Sequence, residues 1–265
     1  MICHPDRRTA LRTGAAFAAG ALTAACGAPG PAAPAGSAPG SPSGAPPPAR
    51  PAAPPAAPAP RAFRGQPDQI DHGPRTRRRV ALTFHGNGDP ATARAVLAEA
   101  ARAGARVTVL AVGEWLDAHP ELARRILDGG HDLGNHTQRH ADINTMTEEA
   151  AHAEITACAQ RLKRLTGSIG TWFRPSRTQY AAAPVLKAAR RAGYPHVLSY
   201  DVDSLDFTSP GAAAVIRNVT GEILPGSVVS LHFGYADTVD AMPSLLEELA
   251  RRDLRAVTTT ELLTP

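Results

Sequence analysis

Two histidines four residues apart, His136 and His140, close the stretch H-D-L-G-N-H-T-Q-R-H at residues 131–140. Imidazole nitrogens suit zinc and its neighbours in the first transition series. Four residues make about one helical turn, so a helix here sets both rings on one face, within reach of one ion. Gly134 and Asn135 fit a strand that ends and turns into that helix. An H-x-x-x-H pair alone is weak evidence, and two surface or capping histidines give the same pattern. Here it has company: His85, Arg174, Asp201, Asp203, Asp206 and His232. Two histidine ligands need a third protein ligand, with water completing an open, catalytic site. Water activated there ionises near neutral pH and attacks a carbonyl carbon. His232 suits a general acid toward the leaving group, with Asp206 or Asp203 orienting its ring and favouring its charged form. Arg174 suits a carboxylate ligand or a catalytic base that needs steering. Leu231, beside His232, suits a small apolar pocket.

The elements that must position these residues alternate along the chain from about Arg75. Strands are expected at Val80–Phe84, Arg106–Val112, the run into His136, Thr171–Arg174, His196–Tyr200, Ser227–His232 and Leu254–Thr258. Helices are expected near Ala91–Ala103, between the second and third strands up to Gly129-Gly130, and from about Thr147 to Leu165. Thr145 and Glu148 are spaced as a capping box for the last of these. Later helices end at Gly193 and Gly221, where glycine accepts a left-handed cap. Seven strand–helix units imply a parallel α/β sheet, either open and doubly wound or closed as a barrel. In both, functional residues gather at the carboxyl ends of strands. His85, His136 and His140, Arg174, the three aspartates and His232 follow or end five different strands, so they share one rim.

These motifs, in this order from about Arg75 to Pro265, resemble the polysaccharide deacetylases, the NodB-homology group of metal-dependent carbohydrate esterases. V-A-L-T-F (Val80–Phe84) resembles the strand into the family's first motif, T-F-D-D-G-P. G-N-H-T-Q-R-H (Gly134–His140) matches the second, F-R-P (Phe173–Pro175) the start of the third, Y-D-V-D-S-L-D-F (Tyr200–Phe207) the fourth and S-L-H (Ser230–His232) the fifth. The resemblance implies a distorted (β/α) barrel and a metal-dependent hydrolase, acting on carbon–nitrogen bonds, that removes acetyl groups, chiefly N-acetyl, from a cell-surface or extracellular polysaccharide. It implies His136 and His140 as metal ligands, His232 as catalytic histidine and Leu231 as a pocket residue. Where the family has two adjacent aspartates, base and ligand, this chain has His85-Gly86, followed by Asn87-Gly88-Asp89-Pro90. Two repairs stand. In one, His85 is the third ligand, and the base is Asp89 or the activated water itself; histidine's reach and liking for zinc favour this repair. In the other, His85 is the base and Asp89 the ligand. Ser176-Arg177 replace the usual tyrosine after the third motif, leaving Arg177 to offer a backbone oxyanion donor, and Phe207 replaces a tryptophan. Zinc is the expected ion, with cobalt or nickel as substitutes. The missing aspartate pair keeps a glycan-binding module without turnover open, and the altered third motif a hydrolase for a non-carbohydrate ester or amide.

Composition sets the surroundings. The chain has 265 residues, with 25 prolines and 23 glycines. Residues 1–26 read as an export signal: Arg7, Arg8 and Arg12, an apolar run from Ala15 to Ala25, and Cys26 closing L-T-A-A-C, which resembles a lipobox whose cysteine is lipidated. The run is too short to span a bilayer. Residues 27–74 follow as a tether, Pro/Ala-rich over most of its length, and residues 75–265 as the catalytic domain. The formal charge of +4 owes half its value to the leader, so no nucleic-acid footprint is expected. The expected protein is an envelope-anchored or secreted monomer whose partners are an acetylated glycan and, through the anchor, the membrane. Cys158 shares an apolar stripe with Ile155, Leu162 and Leu165 and is expected in the core.

Overall fold

In the computed structural model, residues 56–265 are described. The expected leader, Cys26 and the first part of the expected tether lie outside them. The described elements begin with β1 (Gln69–Ile70), β2 (Arg79–Gly86), α1 (Pro90–Arg102), β3 (Thr108–Ala111), α2 (Gly113–Ala118), α3 (Pro120–Asp128) and β4 (Asp132–Asn135). They continue with α4 (Glu148–Thr166), α5 (Ala183–Arg191), β5 (Val197–Leu198), β6 (Val202–Asp203), α6 (Ala212–Glu222), β7 (Val228–His232), α7 (Ala236–Arg251), β8 (Arg255–Ala256) and α8 (Thr259–Leu263).

β2 is the hub. Its residues from Val80 to Gly86 are all buried, as expected of a strand covered on both faces in a parallel sheet. It pairs in parallel with β3, β7 and β8, giving the order β4-β3-β2-β7-β6 with β8 beside β2. β1 pairs with β5. Single-residue parallel bridges through Phe173 connect β4 at Asn135 to β5 at Val197. One bridging residue, rather than a full strand, thus links the two sheets on that side, and the strands form no closed barrel among the described residues. The expected strand Thr171–Arg174 shrinks to this bridge.

Helices pack outside the strands, and their ends follow local chemistry. Asp89 caps α1 by accepting the Ala91 N–H at 2.8 Å, with Pro90 in the first turn. The helix expected up to Gly129 is two, α2 and α3, because Pro120 lacks the N–H that a continuous helix needs. α4 is capped by Thr147, whose hydroxyl accepts from the Ala150 N–H; the expected Thr145–Glu148 capping box does not form, since Thr145 ends a preceding 3₁₀ turn. α6 runs through Gly221. The left-handed glycine lies further on at Gly226, φ 87°, where a Cβ would sit 2.6 Å from the Gly73 carbonyl oxygen.

The fold also begins before Arg75. Phe63 stacks on Trp172 at 5.3 Å between ring centroids, its N–H donates to His196 Nε2, and Ile70 is buried beside Leu198. The boundary expected at residue 74 therefore falls too late.

Candidate metal centre and catalytic cleft

Register decides which side chains meet. β2 and β7 pair with His85 opposite His232 and Phe84 opposite Leu231. Side chains alternate between faces along a strand. His85 and His232 therefore share the rim, with ring centroids 4.3 Å apart. Leu231 turns the other way and is buried in the core with Phe84. The expected role of Leu231 as a pocket residue is corrected by this alternation; Ser230, two residues back on the His232 face, lines the cleft instead.

β4 delivers His136 beside them. The stretch His136–His140 is not the expected helix. It is a loop in which Thr137 and His140 take left-handed backbone, φ 69° and 56°. That conformation costs about 1–2 kcal/mol per non-glycine residue, and the surroundings hold it. Asn135 Oδ1 accepts the Thr137 N–H at 2.8 Å. Thr137 Oγ1 accepts the His140 N–H at 3.2 Å and donates to Ser176 Oγ at 3.1 Å. The N–H groups of Gly113 and Glu114, at the start of α2, donate to the Thr137 and Gln138 carbonyls, both at 2.9 Å. The two imidazoles meet, centroids 4.9 Å apart, through this folded-back loop and not through helical periodicity.

His85, His136 and His140 each offer a ring nitrogen, all within 4.8 Å of one another. His136 is fully buried. Its Nδ1–H donates to the Arg174 carbonyl at 3.0 Å, which fixes the tautomer with the lone pair on Nε2; that atom is buried with no partner among the described residues. Burial presses His85 and His136 well below the ordinary imidazole range, with His136 adding to the effect on His85 and His140 to that on His136. His140 is lowered by burial, then by Arg177 and His232. Three neutral imidazoles and a stranded Nε2 are a donor set that fits a divalent metal.

Across the cleft, His232 Nδ1–H donates to Asp206 Oδ1 at 2.6 Å. The fully buried Asp206 also accepts the His232 N–H at 2.8 Å and the Thr238 hydroxyl at 2.6 Å, both on Oδ2. Of the two expected orienting carboxylates, Asp206 therefore touches His232. Asp203 lies on the cleft wall, where its Oδ1 accepts the Leu205 N–H. Arg174 is completely buried. Its guanidinium donates to the Leu198 and Ser199 carbonyls and faces the Tyr200 ring at 5.4 Å, and it pairs with no carboxylate among the described residues. Burial lowers it to about 10, so it remains a cation. The carboxylate-binding role expected of Arg174 is thus replaced by one for its backbone, which orients His136. Asp89 is exposed and occupied with capping α1, and it neither joins the histidine cluster nor lines the cleft.

The cleft holds about 390 Å³. Phe207, half exposed, stands with its ring 5.6 Å from His232, and Arg177, at φ 57°, forms another part of the wall. Tyr200, Tyr235 and Gln179 also line it and were not singled out from sequence as site residues. Tyr235 lies edge-on to His232 at 5.9 Å and its position three residues after His232 was the available signal. Thr238 carries no sequence signal of its role. Cys158 is buried with its thiol pushed up to about 12, which suits core packing.

Known proteins are similar to this chain in sequence and in fold. A family model described as polysaccharide deacetylase matches residues 72–197. A peptidoglycan-N-acetylglucosamine deacetylase of Bacillus cereus is 30% identical over 194 residues, covering 72% of this chain and 90% of that protein. A chitooligosaccharide deacetylase of a Bradyrhizobium strain is 29% identical over 198 residues, covering 66% of this chain and 86% of the relative. Among solved structures, a peptidoglycan N-acetylglucosamine deacetylase with a substituted benzamide bound superposes with a TM-score of 0.69 at 25% identity, over 74% of this chain and 92% of that one. A pseudoenzyme of carbohydrate esterase family 4 from Bacillus anthracis superposes with a TM-score of 0.71 at 21% identity, over 75% and 70% of the two chains, and shares the fold.

Proposed function

The chain belongs to the polysaccharide deacetylase family, and from that premise we propose that it is a metal-dependent hydrolase that removes N-acetyl groups from a cell-surface or extracellular polysaccharide. The observation that carries this reading is the pairing of a three-histidine cluster with the His232–Asp206 couple across one cleft. His85, His136 and His140 hold the ion, and zinc suits three imidazoles best, with cobalt or nickel as working substitutes. A bound divalent ion supplies Lewis-acid polarisation of the acetamide carbonyl and lowers the pKa of water. The protein's own groups do the rest. Asp206 holds His232 in the tautomer that leaves Nε2 free toward the cleft. That nitrogen takes a proton from the attacking water and passes it to the departing amine nitrogen, so acetate and a free amino sugar leave. Giving both proton steps to His232 follows from the position of Asp89, which is committed to its helix cap. Phe207 and Tyr235 offer faces for a sugar ring.

The leader and Cys26 support export and a lipid anchor at the cell envelope, with the proline-rich stretch as tether and a monomer as the working unit. Paired variants test the mechanism. His136→Ala loses metal and acetate release together, whereas His232→Ala keeps metal and loses acetate release. Full activity in either variant overturns the assignment. A second reading, a glycan-binding module without turnover, is favoured by the histidine cluster's holding no carboxylate among the described residues; glycan binding by metal-loaded protein with no acetate released supports it.

A further inference from the structure

The loop that carries His136 and His140 is locked from behind by a carboxylate that belongs to none of the sequence motifs. Glu154, on α4, is only 4% exposed. Its Oε2 accepts the Arg139 main-chain N–H at 3.0 Å, and its Oε1 accepts the Arg139 Nε–H at 2.6 Å with a second guanidinium nitrogen also at 2.6 Å. Arg139 is the residue immediately before His140. Both carboxylate oxygens are thus spent on one residue of a loop whose flanking positions, Thr137 and His140, sit in left-handed backbone. Such backbone persists only where contacts over-determine it. Other clamps act at Thr137 and Gln138, and Thr137 Oγ1 holds the His140 N–H; Glu154 is the clamp on the half of the loop that leads into His140.

We infer that Glu154 is a positioning residue for the metal centre: through Arg139 it sets where the His140 ring stands relative to His136 and His85. A buried carboxylate is costly unless it is paired and hydrogen-bonded, and here its pairing is directed entirely at the ligand loop. This goes beyond the ligand set itself and rests on the reading of the three histidines as a metal site. Releasing the clamp leaves all three imidazoles in the chain but lets one of them wander. Groups that orient metal ligands typically contribute about ten- to a hundredfold in affinity.

The test is metal affinity, measured on the full chain by competition with a chromophoric zinc chelator, at a temperature where every variant is folded by circular dichroism. Glu154→Gln removes the charge and sets an amide N–H₂ against the Arg139 donors, and it is expected to weaken zinc binding about ten- to a hundredfold. Arg139→Lys keeps the main-chain N–H and the charge but loses the planar fork, and it is expected to fall between wild type and Glu154→Gln. Glu154→Gln that is less stable yet binds zinc within twofold of wild type overturns the inference and reduces Glu154 to a structural residue. Wild-type protein that takes up no zinc, cobalt or nickel fails the metal-hydrolase reading and this inference with it. Wild-type binding with an unaffected Glu154→Gln fails this inference alone.

Discussion

Replacing Asp206 by asparagine isolates what a buried carboxylate does for His232. Asp206 serves three donors with two oxygens: the imidazole Nδ1–H on one, the His232 N–H and Thr238 O–H on the other. Asparagine has one acceptor and one N–H₂. The arrangement that keeps most bonds turns the amide oxygen toward the two donors that share one oxygen and the N–H₂ toward Nδ1. The imidazole then has to accept at Nδ1 and carry its proton on Nε2, the nitrogen that should take a proton from water. All three bonds fall from charge-assisted to neutral strength, about 1 kcal/mol each, so folding stability drops by about 3 kcal/mol. The catalytic loss is as large or larger, because the wrong tautomer removes the proton acceptor. Acid–base catalysis contributes about 10²- to 10⁴-fold, equivalent to roughly 3–5 kcal/mol of barrier. Urea unfolding gives the first number, initial rates of acetate release the second, and ¹⁵N chemical shifts of the ring the tautomer. Asp206→Asn with kcat within threefold of wild type and the ring still protonated on Nδ1 refutes this reasoning.

Two further predictions concern the frame. His131 is lowered to about 4 by burial, reinforced by Arg106, and its Nδ1 accepts the Val107 N–H at 3.1 Å. A folded-state pKa below the unfolded value near 6.5 means that the unfolded chain takes the proton first. The stability this ring contributes is therefore present above pH 6.5 and is lost as pH falls toward 4, by about 3 kcal/mol in all. Urea midpoints at pH 7.5 and 4.5 for wild type and His131→Asn, whose amide oxygen can replace Nδ1, should show a smaller pH dependence in the variant; equal dependence contradicts the assignment. Gly134→Ala places a Cβ 2.6 Å from the Trp172 carbonyl oxygen and 2.7 Å from Leu110 Cδ1. Crowding of that kind costs about 1–3 kcal/mol, so its melting temperature should fall; an unchanged value shows that the Phe173 bridge yields without cost.

The parallel α/β architecture was legible because β2 carries a short run, Val80–Phe84, that is apolar but for Thr83, and because glycine and proline punctuate the helices around it. The rim was legible for the same reason: in a parallel sheet every strand ends on one side, so His85, His136, Asp203 and His232 had to converge. Three features were not. The His136–His140 spacing reads as a helical turn, and tertiary clamps from α2, Asn135, Ser176 and Glu154 hold the left-handed backbone that replaces it. Leu231 looked like a pocket residue by its adjacency to His232, yet the period of two in a strand sends neighbours to opposite faces. Glu154 and Thr238 matter through carboxylate contacts made 15 and 32 residues away in sequence, with Arg139 and Asp206. No local pattern marks such partners.

The most direct measurement of the central claim is acetate release from acetylated chitooligosaccharides and from peptidoglycan by the full chain, stripped with chelator and then restored with zinc, cobalt or nickel in turn. The account predicts no release from stripped protein, recovery on adding one equivalent of metal, and no recovery in His85→Ala. Release that is unaffected by stripping, or reloaded protein that holds one metal ion and liberates no acetate from either glycan, contradicts it.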